Sequence, residues 1–174
     1  MFYGDVFKTL NKSRVKYVVA GGVAVVLHGY QRLTNDLDLI VFLEENNLEK
    51  LFESLGTVGY IPKVPVTKDQ FKDKSQRDRW QKEKGMIVFS FVQRKPPFNL
   101  VDIFVQYPLD FDSLYKNRIN VKVDNVVIPI ASIDHLIKIK QKAGRNIDLN
   151  DIEQLKKIKQ IRGRIKNVKK EKKV

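Results

Sequence analysis

Apolar side chains recur along the chain with two periods. Val6, Phe7 and Leu10 stand at helical spacing within residues 4–12, and residues 15–20 form the first short apolar run, a strand. Gly21 and Gly22 end that run, and Val23 to Leu27 follow as a short helix. The next strand opens at Asp36, where Asp36 and Asp38 alternate with Leu37, Leu39 and Val41, so acids take one side and aliphatics the other. Leu48, Leu51, Phe52 and Leu55 predict a helix over residues 44–55, with Gly56 as its stop. Residues 60–66 carry Pro62 and Pro65 and read as an extended edge. Residues 86–92 and 100–105 read as strands joined by a loop with Pro96-Pro97, and residues 110–117 as a helical turn. Asp124-Asn125 turns a hairpin between residues 119–123 and 126–130. Ser132 caps a helix that runs to Ala143 and stops at Gly144, and a last helix starts near Asp148.

The resulting fold class is α/β (α+β): a small mixed β-sheet with flanking helices and a C-terminal helical segment. One domain fills residues 1–154, with the sheet core to about residue 130 and the helical segment over 131–154; residues 155–174 are the end of the last helix and a basic tail. Residues 67–85 stand apart, because Lys, Arg, Asp and Glu occupy eleven of the eighteen positions from Thr67 to Lys84. Phe71 and Trp80 are the large apolar anchors there. A charged surface helix with Trp80 plugging the rim of the core is preferred over a mobile flap above a cleft.

Composition narrows the chemistry. The chain has 174 residues and no cysteine, which excludes a disulfide framework and a thiolate metal site. His28 and His135 are not spaced for zinc, and His28 is expected as a dipole partner at a helix C-terminus. The longest apolar run is too short to span a bilayer and the N-terminal residues lack the pattern of a signal peptide, so a cytoplasmic protein without a membrane partner is expected. Net charge is +13, and residues 155–174 hold ten Lys/Arg against one Glu, which leaves +4 on the remaining 154 residues. The body is nearly balanced. The tail either attracts polyanions such as RNA or serves as a solvated end.

The sharpest chemical signal is the pair Asp36 and Asp38, which a bound divalent cation would relieve. Asp102 breaks the apolar strand Leu100-Val101-Asp102-Ile103-Phe104-Val105 and is the third carboxylate candidate. Three acids on neighbouring strands can hold two Mg²⁺ ions for an in-line displacement at phosphorus, with Mn²⁺ as the alternative metal.

Gly21-Gly22, thirteen residues, Asp36-x-Asp38, and Asp102 on a later strand together resemble the polymerase-beta-like nucleotidyltransferase superfamily. HGYQRLTNDLDLIVF and SIDHLIKIKQKAGRNIDLNDIEQL are similar to the bacterial abortive-infection (AbiEii-type) branch, which includes toxins of toxin–antitoxin pairs. The resemblance spans residues 17–155. It implies a nucleotidyltransferase core, transfer of NMP from an NTP to an acceptor hydroxyl, and release of pyrophosphate. Asp36 and Asp38 would bind both metals; Asp102 would complete one site and take the proton of the attacking hydroxyl. Gly21 and Gly22 would cradle the triphosphate, and Lys140 would steady the leaving pyrophosphate. Arg32, Thr34, Arg145 and Asp148 are the further nucleotide-binding candidates, although Arg32 could instead orient Asp36, and Arg145 and Asp148 could form an ion pair between helices. One departure is Gly22, where many superfamily members carry serine. The implied partners are an NTP, an RNA acceptor such as tRNA, and a cognate antitoxin protein. An aminoglycoside-like small acceptor and a catalytically silent nucleotide- or RNA-binding module are the alternatives.

Overall fold

A computed structural model of the chain describes the backbone of residues 3–171 and the side chains of residues 3–165. The lysines of the basic tail from Lys166 onward lie outside the described side chains. α1 (Gly4–Lys12) buries Val6, Phe7 and Leu10, and β1 (Tyr17–Val19) leads into α2 (Gly21–Leu27), which starts at the first glycine rather than after the pair. β2 (Asp36–Val41) precedes α3 (Glu45–Thr57). The Glu44 carboxylate caps α3 by accepting the Asn47 N–H at 3.2 Å. Gly56 does not stop α3. The left-handed turn falls at Gly59, with φ 83°, once the buried Leu55 has completed the apolar face.

Next come β3 (Tyr60–Pro62), α4 (Lys68–Lys72), α5 (Lys74–Lys84), β4 (Val88–Gln93) and β5 (Leu100–Phe104). They are followed by α6 (Phe111–Lys116), β6 (Ile119–Val123), β7 (Val126–Ile130), α7 (Ile133–Ala143) and α8 (Asn146–Glu171). α8 passes unbroken through residues 154–155. Ser132 accepts the His135 N–H at 3.3 Å to cap α7, and Gly144 closes it at φ 66°.

The strands form one mixed sheet in the order β3-β4-β5-β2-β1-β7-β6. β2 runs parallel to β5 and β1 parallel to β7, and the other neighbours are antiparallel. Leu37, Leu39, Val101, Ile103, Phe89 and Phe91 are buried on one side of its centre. On the other side of β4 and β5, Val88, Ser90, Val92, Leu100, Asp102 and Phe104 are only half-buried. The sheet therefore has a closed face and, over β4–β5, a more open one.

The charged segment 67–85 is two helices. Phe71 and Trp80 both enter the closed face, with the Phe71 ring 4.9 Å and the Trp80 ring 6.3 Å from that of Phe89. Lys68 and Lys72 bind Glu49 of α3, and Arg77 donates to the Phe71 and Lys72 carbonyls at 2.6 and 2.7 Å. This is a packed surface element rather than a flap. His28 is not a dipole cation. Burial lowers its pKa, its Nε2 lies 2.8 Å from the Ala131 carbonyl, and Arg162 of α8 donates to its backbone oxygen at 3.0 Å. The last turn of α2 is thus held by Arg162. Among the described residues no helix is long and apolar enough to cross a membrane.

Candidate active site

The two glycines are required by what presses against them. Gly21 has φ 57°, and a Cβ there would stand 1.7 Å from Asp38 Oδ2. A Cβ on Gly22 would stand 2.3 Å from both Arg32 Nη2 and Thr34 Oγ1. The absence of side chains lets the Asp38 carboxylate, the Arg32 guanidinium and the Thr34 hydroxyl meet the backbone at the start of α2. The side-chain space at Gly22 is filled by Thr34 and Arg32.

β2 and β5 pair in parallel with Asp38 opposite Asp102 and Asp36 opposite Leu100. Asp36, Asp38 and Asp102 each place one carboxylate oxygen within 4.8 Å of the others. Burial, reinforced by Asp36 and Asp102, pushes Asp38 up to about 7, against the opposing charges of Lys140 and Arg145. Burial also raises Asp102, with Asp36 adding to it, while a Ser90 hydrogen bond and the Lys63 charge pull the other way. The Thr34 hydroxyl donates to Asp36 Oδ1 at 3.2 Å. Asp102 Oδ1 is buried with no hydrogen-bond partner. Three like charges, an orphaned oxygen and an all-oxygen donor set fit a hard divalent cation such as Mg²⁺.

Beside the triad lies a second cluster of the opposite character. Lys140 of α7 is 4% exposed and sits 3.1 Å from Asp148 Oδ1 and 2.6 Å from Asp151 Oδ2; both of these acids, on α8, are fully buried. Arg145 donates from Nε to Asp148 Oδ2 at 2.7 Å and from Nη2 to Oδ1 at 3.2 Å. Burial works against ionised Asp148, but Arg145 and Lys140 outweigh it and hold Asp148 below its ordinary value. Arg32 reaches the cluster from the loop before β2, its Nε 3.6 Å from Asp151 Oδ1. Its Nε and Nη1 are buried without hydrogen-bond partners.

All ten candidate residues therefore gather at one place, in different conditions. Asp36, Asp38 and Asp102 face one another, Gly21 and Gly22 face Asp38, Arg32 and Thr34, and Lys140, Arg145 and Asp148 form the ion network. Thr34, not Arg32, bonds Asp36. Sequence reasoning missed Asp151, Ser90 and Lys63. Asp151 stands three residues after Asp148, a same-face spacing on a helix, which was the available signal. Ser90, between Phe89 and Phe91, faces away from the core by strand alternation.

No protein-family model matches the chain, and no curated protein matches it. Its fold does match solved structures. The lincosamide antibiotic adenylyltransferase LnuA with lincomycin bound superposes at TM-score 0.59 with 18% identity, over 90% of this chain and 94% of that one. ANT(2″)-Ia in complex with adenylyl-2″-tobramycin gives 0.57 with 9% identity, over 95% of each chain. A nucleotidyltransferase-like protein from Paracoccidioides brasiliensis gives 0.52 with 16% identity, over 86% of this chain and 71% of that one. What is shared at these identities is architecture: the chain has the nucleotidyltransferase fold.

Proposed function

We propose that the chain is a Mg²⁺-dependent nucleotidyltransferase that moves NMP from an NTP to an acceptor hydroxyl. The observation that carries this reading is the convergence of Asp36, Asp38 and Asp102 within 4.8 Å beside a glycine turn tight enough to touch Asp38. Asp36, Asp38 and Asp102 would hold the metal. When bound, the metal neutralises phosphate charge and lowers the pKa of the attacking hydroxyl.

The remaining chemistry belongs to the chain's own groups. Gly21 and Gly22 let the triphosphate approach the backbone, and Arg32, whose Nη1 has no hydrogen-bond partner, supplies positive charge there. The acceptor oxygen attacks the α-phosphorus, the bond from that phosphorus to the bridging oxygen breaks, and pyrophosphate leaves. Asp102 takes the hydroxyl proton, helped by the basicity that burial confers on its carboxylate. Lys140, fixed by Asp148 and Asp151, meets the charge of the leaving group. Arg145 and Asp148 act as positioning residues for Lys140.

For the acceptor we infer an RNA hydroxyl, with tRNA as the candidate, on the strength of the net +13 charge and the sequence resemblance to toxins of toxin–antitoxin pairs. A cognate antitoxin is the corresponding protein partner. The likeness to LnuA and ANT(2″)-Ia favours a second reading, a small antibiotic acceptor. Incubation with Mg²⁺, each α-labelled NTP in turn, and total RNA, lincomycin or tobramycin tests both. Label in RNA, absent with Asp38→Asn, is expected. Label in an antibiotic alone would replace the RNA reading by the second one.

A further inference from the structure

The register of the sheet orders the site along a line. Asp38 on β2 pairs with Asp102 on β5, Asp102 pairs with Ser90 on β4, and the Lys63 N–H just past β3 donates to the Ser90 carbonyl at 2.9 Å. Directly paired residues point to the same side of a sheet, so Asp38, Asp102 and Ser90 form one row across three strands, and Lys63 is bonded to its outer end. With strands about 4.8 Å apart, the Lys63 backbone lies roughly 10 Å from that of Asp102 and roughly 14 Å from that of Asp38. The glycine turn that contacts Asp38 marks the opposite end of the row.

This order separates two substrates. If the triphosphate lies at the glycine turn, as in the function proposed above on which this inference rests, the acceptor must come over β5, β4 and β3. On the open side of these strands Ile61, Val88, Val92, Leu100 and Phe104 are half-buried and apolar, Ser90 supplies a hydroxyl, and Asp102 is the sole acid. The cations nearer the glycine turn, Lys140, Arg145 and Arg32, lie against Asp148 or Asp151 and belong to the triphosphate end of the site. Lys63 is exposed and has no ion pair among the described residues. Its backbone N–H is bonded to Ser90, the residue paired with Asp102. Beyond the three acids of the triad, a polycationic acceptor finds a lysine and no further acid on these strands. A nucleotide finds an apolar strip for its base and a cation for its phosphate.

We propose that Lys63 and Ser90 form the acceptor subsite, in which Lys63 binds the phosphodiester adjoining the attacking hydroxyl of a polynucleotide end and Ser90 orients Asp102. Lys63 is a binding residue and Ser90 a positioning one.

The test compares wild type with Lys63→Glu and Lys63→Arg, using a short single-stranded RNA with a free 3′ hydroxyl, tobramycin or lincomycin, and α-labelled ATP with Mg²⁺. The RNA should be labelled by wild type. Lys63→Glu should lower kcat/KM for RNA about tenfold or more, mainly through KM, and Lys63→Arg should recover most of the loss. The rise in melting temperature produced by ATP and Mg²⁺ should be the same in all three proteins. RNA labelling that is indifferent to Lys63→Glu overturns the proposal, as does labelling of an antibiotic in its place. Nucleotide-induced stabilisation without any RNA labelling overturns the acceptor assignment alone; loss of both overturns the function beneath it.

Discussion

Asp36, Asp38 and Asp102 crowd three carboxylates together, and among the described residues no ion pair reaches any of them. Asp148 and Asp151, close by and more deeply buried, lie in a network with Lys140, Arg145 and Arg32. The first cluster has no cation paired with it, whereas the second sets acids against cations, although both Asp151 oxygens and the Nε and Nη1 of Arg32 have no hydrogen-bond partner there. Burial raises Asp38, yet it fails to raise Asp148 because two cations outweigh it. Buried like charges with no cation beside them repel, whereas buried acids set against cations are stabilised by them. Neutralising an acid should therefore have opposite effects on the stability of the two clusters.

Asp38→Asn is the largest test of this contrast. It should reduce nucleotide transfer roughly a thousandfold or more in the labelled-NTP assay. In metal-free buffer at pH 8 it should raise the melting temperature, since it removes one of three repelling charges. The pH dependence follows from the same group. Asp38 titrates near 7 in the folded chain against an ordinary value of 3.8. Its contribution to stability is thus fully present below about pH 4 and is lost as the pH rises through about 7. Metal-free melts should show that fall, Asp38→Asn should flatten it, and the stabilisation given by Mg²⁺ should grow over the same range. A lower melting temperature for the variant at pH 8 would break the comparison.

Asp151→Ala should act in the opposite sense. It leaves Lys140 buried with Asp148 but without its 2.6 Å neighbour, so chemical denaturation should show a loss of about 1.5–3 kcal/mol. The double replacement Lys140→Met with Asp151→Leu should regain much of that stability while transfer stays impaired, which would separate the network's structural part from its chemical one.

The smallest effects concern the seam between the clusters. Gly22→Ser must push aside Thr34 and Arg32, whose atoms lie 2.3 Å from the new Cβ; weaker NTP binding, by about tenfold in titration calorimetry, is expected. Thr34→Val, which keeps the shape and removes the hydroxyl bonded to Asp36, should cost about 1 kcal/mol of the same binding, and Thr34→Ser less.

Much of the candidate site could be read from local pattern. A glycine pair after an apolar run, and two acids two residues apart on a strand, have consequences that nearest neighbours dictate: a permissive turn, and carboxylates on a common side. The helix caps at Ser132 and Gly144 were legible for the same reason, as was Trp80 as an anchor of a charged helix. Gly56 misled, because a glycine can lie within the last turn of a helix, and the left-handed turn that ends this one falls at Gly59.

The tertiary structure alone decided which distant segments became neighbours. Asp102 lies beside Asp38 because β5 pairs in parallel with β2 across more than sixty residues of chain. Ser90 joined that row, and Lys63 its outer end, only through the order of β4 and β3. Asp151 met Lys140 and Arg32 through the packing of α7, α8 and the loop before β2. Strand order and helix docking are settled by burial of the whole core, and a core leaves no mark in any one window of sequence. Local pattern in the sequence therefore set the two halves of the site, the glycine turn and the acid pair; packing brought them to one place, set their cations against Asp148 and Asp151, and left Lys63, exposed and without an ion pair among the described residues, past the outer end of the row.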